Sequence, residues 1–110
     1  MIQDTLNKIE TQIESAGAIT PENKAELREL LATLKSEVGQ LSQTHTEQAQ
    51  TITGFAQVST HEATRGEKNP QLLKLSLDGL AASVNGFEQT HPRLVEIVNR
   101  ICTTLASLGV

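Results

Sequence analysis

The side chains in this sequence best suited to binding chemistry are two histidines, His45 and His91. Each stands where the apolar spacing of its segment would place a leucine, and the carboxylates of Glu47 and Glu88 are close in sequence. Two imidazoles in one helical seam, or four across a twofold dimer, could bind a metal ion such as zinc. Neither histidine belongs to a His-x-x-x-His pair, and although Glu88 and His91 are three residues apart, Pro92 interrupts the helix at His91. The alternative is therefore a polar seam position at His45 and a helix cap at His91. We predict no resident metal or cofactor and keep both histidines as candidate ligands.

The remaining reactive groups do not form a catalytic pattern. Cys102 is the single cysteine and falls on the apolar side of its segment, where a thiol is usually inert. Acidic pairs such as Glu10 and Glu14 have the spacing of a solvated helix surface, and the glycines occur singly, without the spacing of a phosphate-binding loop. The sequence predicts a protein that is not an enzyme and has no catalytic residues.

Composition excludes several classes of partner. The chain has 110 residues, which predicts a single domain over 1–110, and its net charge of −4 comes from interspersed charges of both signs. A nucleic-acid partner is not expected, because no basic cluster is present to neutralise phosphates. No apolar run approaches the ~20 residues of a membrane span, and the first residues lack the apolar block of a signal peptide. With one unpaired cysteine, these features predict a reducing, cytoplasmic setting.

Apolar residues recur at alternating steps of three and four along most of the chain, which is the pattern of a helix-to-helix seam. Three prolines follow cap residues, in Thr20-Pro21, Asn69-Pro70 and His91-Pro92, and this arrangement favours helix starts. The predicted helices span about 2–16, 20–65, 70–90 and 92–108.

The middle of the second predicted helix has a weaker seam. After Leu41 the bulky residues give way to small ones, and Ala49, Ala56 and Ala63 take over the spacing. We predict that the helix continues through this stretch, and the alternative is a break or disorder over 42–66.

A short turn near 66–69 predicts that the segments on either side run antiparallel. Positions whose numbers add up to about 135 then face each other, which sets Leu27 opposite Leu108 and His45 level with His91. Gly54, Gly79 and Gly86 fall in the middle of this hairpin. Their small size predicts the closest approach of the two arms around 49–56.

The predicted fold is all-α: a long, antiparallel, coiled-coil-like helical hairpin with a short N-terminal helix. Phe55 and Phe87 are the only aromatic residues, so the chain has little bulk for a thick core, and we expect oligomerisation to complete a helical bundle. The seam residues expected at the interface are Leu27, Leu31, Leu34, Val38, Leu41, Val98, Ile101, Leu105 and Leu108.

The C-terminal third contains Phe87-Glu88-x-x-His91-Pro92-Arg93-Leu94 and closes with Leu108-Gly109-Val110, and an earlier run reads Leu27-Arg28-Glu29-Leu30-Leu31. In these motifs the chain resembles an uncharacterised bacterial family of short helical proteins, the domain-of-unknown-function family 4404. The resemblance covers about half of the chain and implies a small helical protein, without an activity to transfer.

The predicted function is a non-enzymatic structural or protein-interaction module that self-associates through its Leu/Ile/Val seams. The partner would be a second copy, as a dimer or a higher homo-oligomer, or another helical protein. The alternative is a helical bundle that binds a small ligand or a metal at the polar seam around His45 and His91.

Overall fold

Helices make up most of the computed structural model, which describes residues 2–17 and 19–108. They are α1 (Ile2–Ser15), α2 (Pro21–Leu41), α3 (Thr46–Thr64), α4 (Pro70–Ser83) and α5 (Pro92–Leu108). No residue in the described ranges belongs to a strand. The prediction of an all-α fold is confirmed.

Side-chain caps fix the starts of α2 and α4. The hydroxyl of Thr20 accepts a hydrogen bond from the backbone N–H of Asn23 at 3.2 Å, and the side-chain oxygen of Asn69 accepts one from Leu72 at 3.1 Å. A proline follows each cap, at the position where the helix has no use for a backbone donor. The local chemistry read from the sequence therefore sets both starts.

The helix predicted over 20–65 is instead two helices, α2 and α3, separated by residues 42–45. A continuous helix of that length would extend nearly 70 Å at ~1.5 Å per residue. The longest dimension of the described structure is 37 Å. The prediction of one long hairpin arm was wrong, and the chain folds back on itself at this point.

Short polar side chains cause the break between α2 and α3. The Ser42 hydroxyl donates to the carbonyl of Gly39 at 2.8 Å, and the backbone N–H of His45 donates to the carbonyl of Leu41 at 2.7 Å. Thr44 also donates to the Leu41 carbonyl, at 3.4 Å. Serine and threonine compete for backbone groups in this way, so the helix can end without glycine or proline.

The end of α4 also differs from the prediction, since the helix stops at Ser83 rather than near residue 90. Gly86 has a φ of +97°, a left-handed conformation that favours glycine, and its N–H donates to the Glu88 carboxylate at 2.9 Å. Gly86 therefore makes a turn. The sequence instead predicts Gly86 in a close contact between two helices, and that prediction was wrong.

The buried face of α3 consists mainly of small residues. Ala49, Ala56, Ser59 and Ala63 are buried there together with Ile52. This face packs on α4 and on α1, which also contacts α2. The seam of small residues predicted for this segment is confirmed.

The last helix closes the bundle by packing on α2, α3 and α4. The hydroxyl of Thr104 donates to the Glu26 carboxylate of α2 at 3.3 Å. The Cα radius of gyration is 12.9 Å, close to the value of about 13 Å expected for a compact chain of this length. One chain therefore covers its own apolar core, and oligomerisation is not needed for that purpose.

Candidate functional site

All the large hydrophobic side chains that are exposed in the described ranges belong to the neighbouring helices α3 and α4. They are Phe55 (37% exposed) and Val58 (49%) on α3, and Leu72 (43%) and Leu75 (60%) on α4. We call these four residues the α3–α4 face. A clustered apolar patch on a small protein often marks an interaction surface, whereas scattered apolar residues need no explanation.

Helical spacing explains how this face arises. Leu72 and Leu75 are three residues apart and so share one side of α4, while Leu73, Ser76 and Leu80 form the buried side. Phe55 and Val58 have the same spacing on α3. The result is a strip of apolar side chains along two neighbouring helices.

Two ion pairs lie on the helices that carry the face. Lys74 Nζ lies 2.9 Å from Asp78 Oδ2, one turn apart on α4. At the end of α3, Arg65 Nη1 lies 3.0 Å from Glu62 Oε1, and Glu62 is itself buried. The charges of these four residues are therefore balanced within the chain.

The residues predicted as an interface between copies lie inside one chain. Leu108 is partly buried against the core. The other members are almost completely buried: Leu27, Leu31, Leu34, Val38, Leu41, Val98, Ile101 and Leu105. In this fold they pack α2 and α5 into the bundle, and a second copy would reach them only if the fold opened.

Sequence reasoning missed most of the α3–α4 face. Phe55 stands out in the sequence only as one of two aromatic residues, and the predicted seams do not include Val58, Leu72 or Leu75. The available signal was that Leu72 and Leu75 lie beside the Leu73–Leu80 seam rather than in it. Apolar residues outside a seam mark an extra apolar side of the helix.

The structure brings His45 and His91 together, at the end of the molecule where the α2–α3 and α4–α5 loops meet. Their ring centroids are 6.2 Å apart, and each ring makes an edge-to-face contact with Phe87 at 5.5 Å. The Nδ1 atoms lie 2.7 Å from the Thr44 hydroxyl and 3.0 Å from the Thr90 hydroxyl, respectively. The ring contacts of His45 with Phe87 and His91 join the two loops, and each threonine hydroxyl holds the ring next to it in sequence.

The carboxylates considered as additional ligands lie elsewhere or are occupied. Glu88 accepts the hydrogen bond from Gly86, and Glu47 is an exposed residue in the first turn of α3. Within residues 2–17 and 19–108, no group of three or more His, Cys, Asp or Glu side chains is placed to hold a metal ion.

The thiol of Cys102 is half-buried between α5 and α4. Its Sγ lies 3.8 Å from the carbonyl oxygen of Leu77. Burial, with a smaller effect from the negative charge of Asp78, raises the pKa of the thiol to about 11. The group is therefore a neutral thiol near pH 7 and a poor nucleophile.

In its described residues the molecule is a small bundle of five helices with one exposed apolar face. The chain belongs to the family defined by a domain of unknown function (DUF4404), whose model matches residues 27–110. The matched region contains most of α2 and all of α3, α4 and α5, so it includes both the α3–α4 face and the histidine pair. Comparison with curated proteins and with solved structures gave no match. Of the described helices, none is both long enough and apolar enough to cross a bilayer.

Proposed function

We propose that this chain is a non-enzymatic protein-interaction module that self-associates through the α3–α4 face. The observation that carries the proposal is the clustering of Phe55, Val58, Leu72 and Leu75, the exposed large hydrophobic residues of the described ranges, on one helix pair. A reducing, cytoplasmic setting is part of the proposal, because the single cysteine does not take part in a disulfide.

The size of the face fits the centre of an interface. A fully exposed side chain of this type presents on the order of 150–200 Å², so the four exposed fractions amount to about 300 Å² of apolar surface. A standard interface buries about 800 Å² on each partner, with an apolar centre and a polar rim. The four residues would supply that centre, and exposed polar residues of α3 and α4 would supply the rim.

The charges favour a second copy as the partner. Lys74 is already paired with Asp78, and Glu62 with Arg65, so these four charges are balanced within the chain and do not favour an oppositely charged partner. A neutral apolar strip is complementary to itself. Two copies related by a twofold axis would stack one α3–α4 pair on the other and produce a closed dimer.

Sedimentation velocity of charge-introducing variants tests the proposal. Leu75→Asp places a carboxylate in the middle of the face, and we expect it to keep the protein monomeric at concentrations where the unchanged chain associates. Ala25→Asp, at an exposed position on α2, is the matched control and should associate normally. Circular dichroism verifies that both variants remain helical.

Two results would contradict the proposal. Association of Leu75→Asp that equals that of the control would show that the α3–α4 face is not the contact. If the unchanged chain stays monomeric at every concentration, the proposal of self-association is wrong. Another helical protein would then be the candidate partner.

A further inference from the structure

The contact between His45 and His91 has features that a purely structural contact does not need. The two residues come from different loops, and their ring centroids are 6.2 Å apart. Both follow a threonine whose hydroxyl contacts the Nδ1 atom of the ring, as Thr44-His45 and Thr90-His91. The same local arrangement therefore occurs twice, on the two sides of one junction.

Each imidazole is held through its Nδ1 atom, which leaves Nε2 for a ligand. His45 Nδ1 lies 2.7 Å from the Thr44 hydroxyl, and His91 Nδ1 lies 3.0 Å from the Thr90 hydroxyl. In the tautomer in which the hydroxyl accepts, Nδ1 carries the proton and Nε2 keeps its lone pair. Histidines that bind metals are commonly held in this way, with one nitrogen donating to a fixed acceptor and the other on the metal.

The separation of the two rings is close to that of two ligands of one ion. A zinc–nitrogen bond is about 2.0–2.1 Å long, which places the metal about 3 Å from the centre of each ring. Two imidazoles on the same tetrahedral ion therefore have centroids about 5 Å apart. The observed separation is 6.2 Å, so a movement of about 1 Å between the two loops would bring both rings onto one ion.

We propose that His45 and His91 form a two-histidine site for a divalent transition-metal ion of the zinc and nickel type, for which imidazole is a suitable ligand. No third protein ligand is placed there among the described residues, so water completes the coordination and the ion exchanges readily. The bound ion would tie the α2–α3 loop to the α4–α5 loop. The site uses none of the residues of the α3–α4 face and does not depend on self-association.

Isothermal titration calorimetry of the full chain, freed of metals with a chelator, tests this site with Zn²⁺ and with Ni²⁺. We expect saturable binding of one ion per chain. His45→Gln and His91→Gln should each weaken binding by about tenfold or more, because each removes one of two protein ligands. His61→Gln is the matched control, since His61 is an exposed histidine of α3 beside Glu62 and should not contribute.

A spectroscopic measurement on the unchanged chain covers the case in which a variant fails to fold. In long-range ¹H–¹⁵N spectra of the imidazoles, the Nε2 resonances of His45 and His91 should move together on addition of Zn²⁺, while those of His61 stay in place. The proposal is overturned if the chain does not bind the ions, if His45→Gln and His91→Gln bind as the unchanged chain does, or if His61→Gln alone removes binding.

Discussion

The ring of Phe55 lies directly over Gly79, where any larger residue would collide with it. A Cβ atom placed on Gly79 would come within 2.3 Å of Phe55 Cε1 and 2.6 Å of its Cδ1, closer than real Cβ atoms approach other atoms. The missing side chain of Gly79 therefore leaves room on α4 for the Phe55 ring of α3.

We expect Gly79→Ala to lower the free energy of unfolding by about 1 kcal/mol. Displacement of the ring costs on the order of 1–3 kcal/mol, and the better helix propensity of alanine returns about 1 kcal/mol. In a Phe55→Ala background the collision is absent, so the same change should raise the free energy of unfolding by up to about 1 kcal/mol. Urea denaturation of the unchanged chain, the two single variants and the double variant gives the four free energies of unfolding for a double-mutant cycle.

Gly54→Ala is the matched control for this cycle. A Cβ atom at Gly54 would meet nothing within 4 Å, so alanine there should stabilise α3 in both backgrounds. If Gly79→Ala had the same effect with and without the Phe55 ring, the proposed contact between the two residues would be wrong.

The stability of a Leu34 variant shows whether this residue lies in the core of one chain or in an interface between two copies. Leu34 is 1% exposed inside one chain. Leu34→Ala should therefore lower the free energy of unfolding by about 2–5 kcal/mol, the usual cost of such a cavity. Because the contacts are within the chain, the loss should be the same at every protein concentration at which the chain is monomeric.

Leu75→Ala provides the comparison for Leu34→Ala, because the Leu75 side chain is largely exposed. Its effect on the stability of the monomer should stay within about 0.5 kcal/mol. A loss for Leu34→Ala that grows with dilution of the protein would instead place Leu34 between copies.

The reactivity of Cys102 should depend steeply on pH. Its pKa of about 11 lies above the ordinary value of 9.0, so the rate of alkylation by iodoacetamide should keep rising to about pH 11 in the folded protein. In the denatured protein the rate should level off near pH 9. The folded state holds the proton more tightly, so this group's contribution to stability is complete below pH 9 and is lost as the pH rises toward 11. A folded protein whose alkylation levels off near pH 9 would show that the thiol is not buried.

The ion pair between Glu14 and Arg28 joins α1 to α2 in a region that the family match does not fully include. The hydrogen bond from Arg28 lowers the pKa of the Glu14 carboxyl below its ordinary value of 4.5. The stabilisation is therefore present above pH 4.5 and is lost as the pH falls through the lowered pKa.

Glu14→Gln should accordingly reduce the free energy of unfolding at neutral pH and have no effect in strong acid. Both side chains of the pair are exposed to solvent, so 1 M salt should also remove most of the difference. Urea denaturation of the unchanged chain and of Glu14→Gln gives the difference in the free energy of unfolding. It is measured at neutral pH and in strong acid, and at neutral pH with and without 1 M salt. A difference that persisted in strong acid would have to come from something other than the ion pair.

The parts of the fold that local chemistry determines were predictable from the sequence. Thr20 and Asn69 stand directly before prolines, and each caps its helix through a side-chain oxygen. The fold-back at 66–69 also placed His45 level with His91, and their rings do meet. The caps depend on a few neighbouring residues, and the pairing of the histidines depends on the position of one turn.

Two features of the fold were not predictable in the same way. No glycine or proline lies within 42–45, and a seam of small residues resumes at Ala49, so the sequence pattern favoured one helix. The break becomes evident only from the hydrogen bonds of Ser42 and Thr44. Likewise, the exposure of Leu72 and Leu75 depends on which side of α4 the other helices cover.

The measurement that tests self-association most directly is light scattering after size-exclusion chromatography, over a series of concentrations of the unchanged chain. The chain has a mass of 11.9 kDa. We predict that the measured mass rises with concentration and levels off at twice this value, as expected for a closed dimer formed through the α3–α4 face. A well-folded protein that stays at 11.9 kDa throughout the series would contradict the proposal.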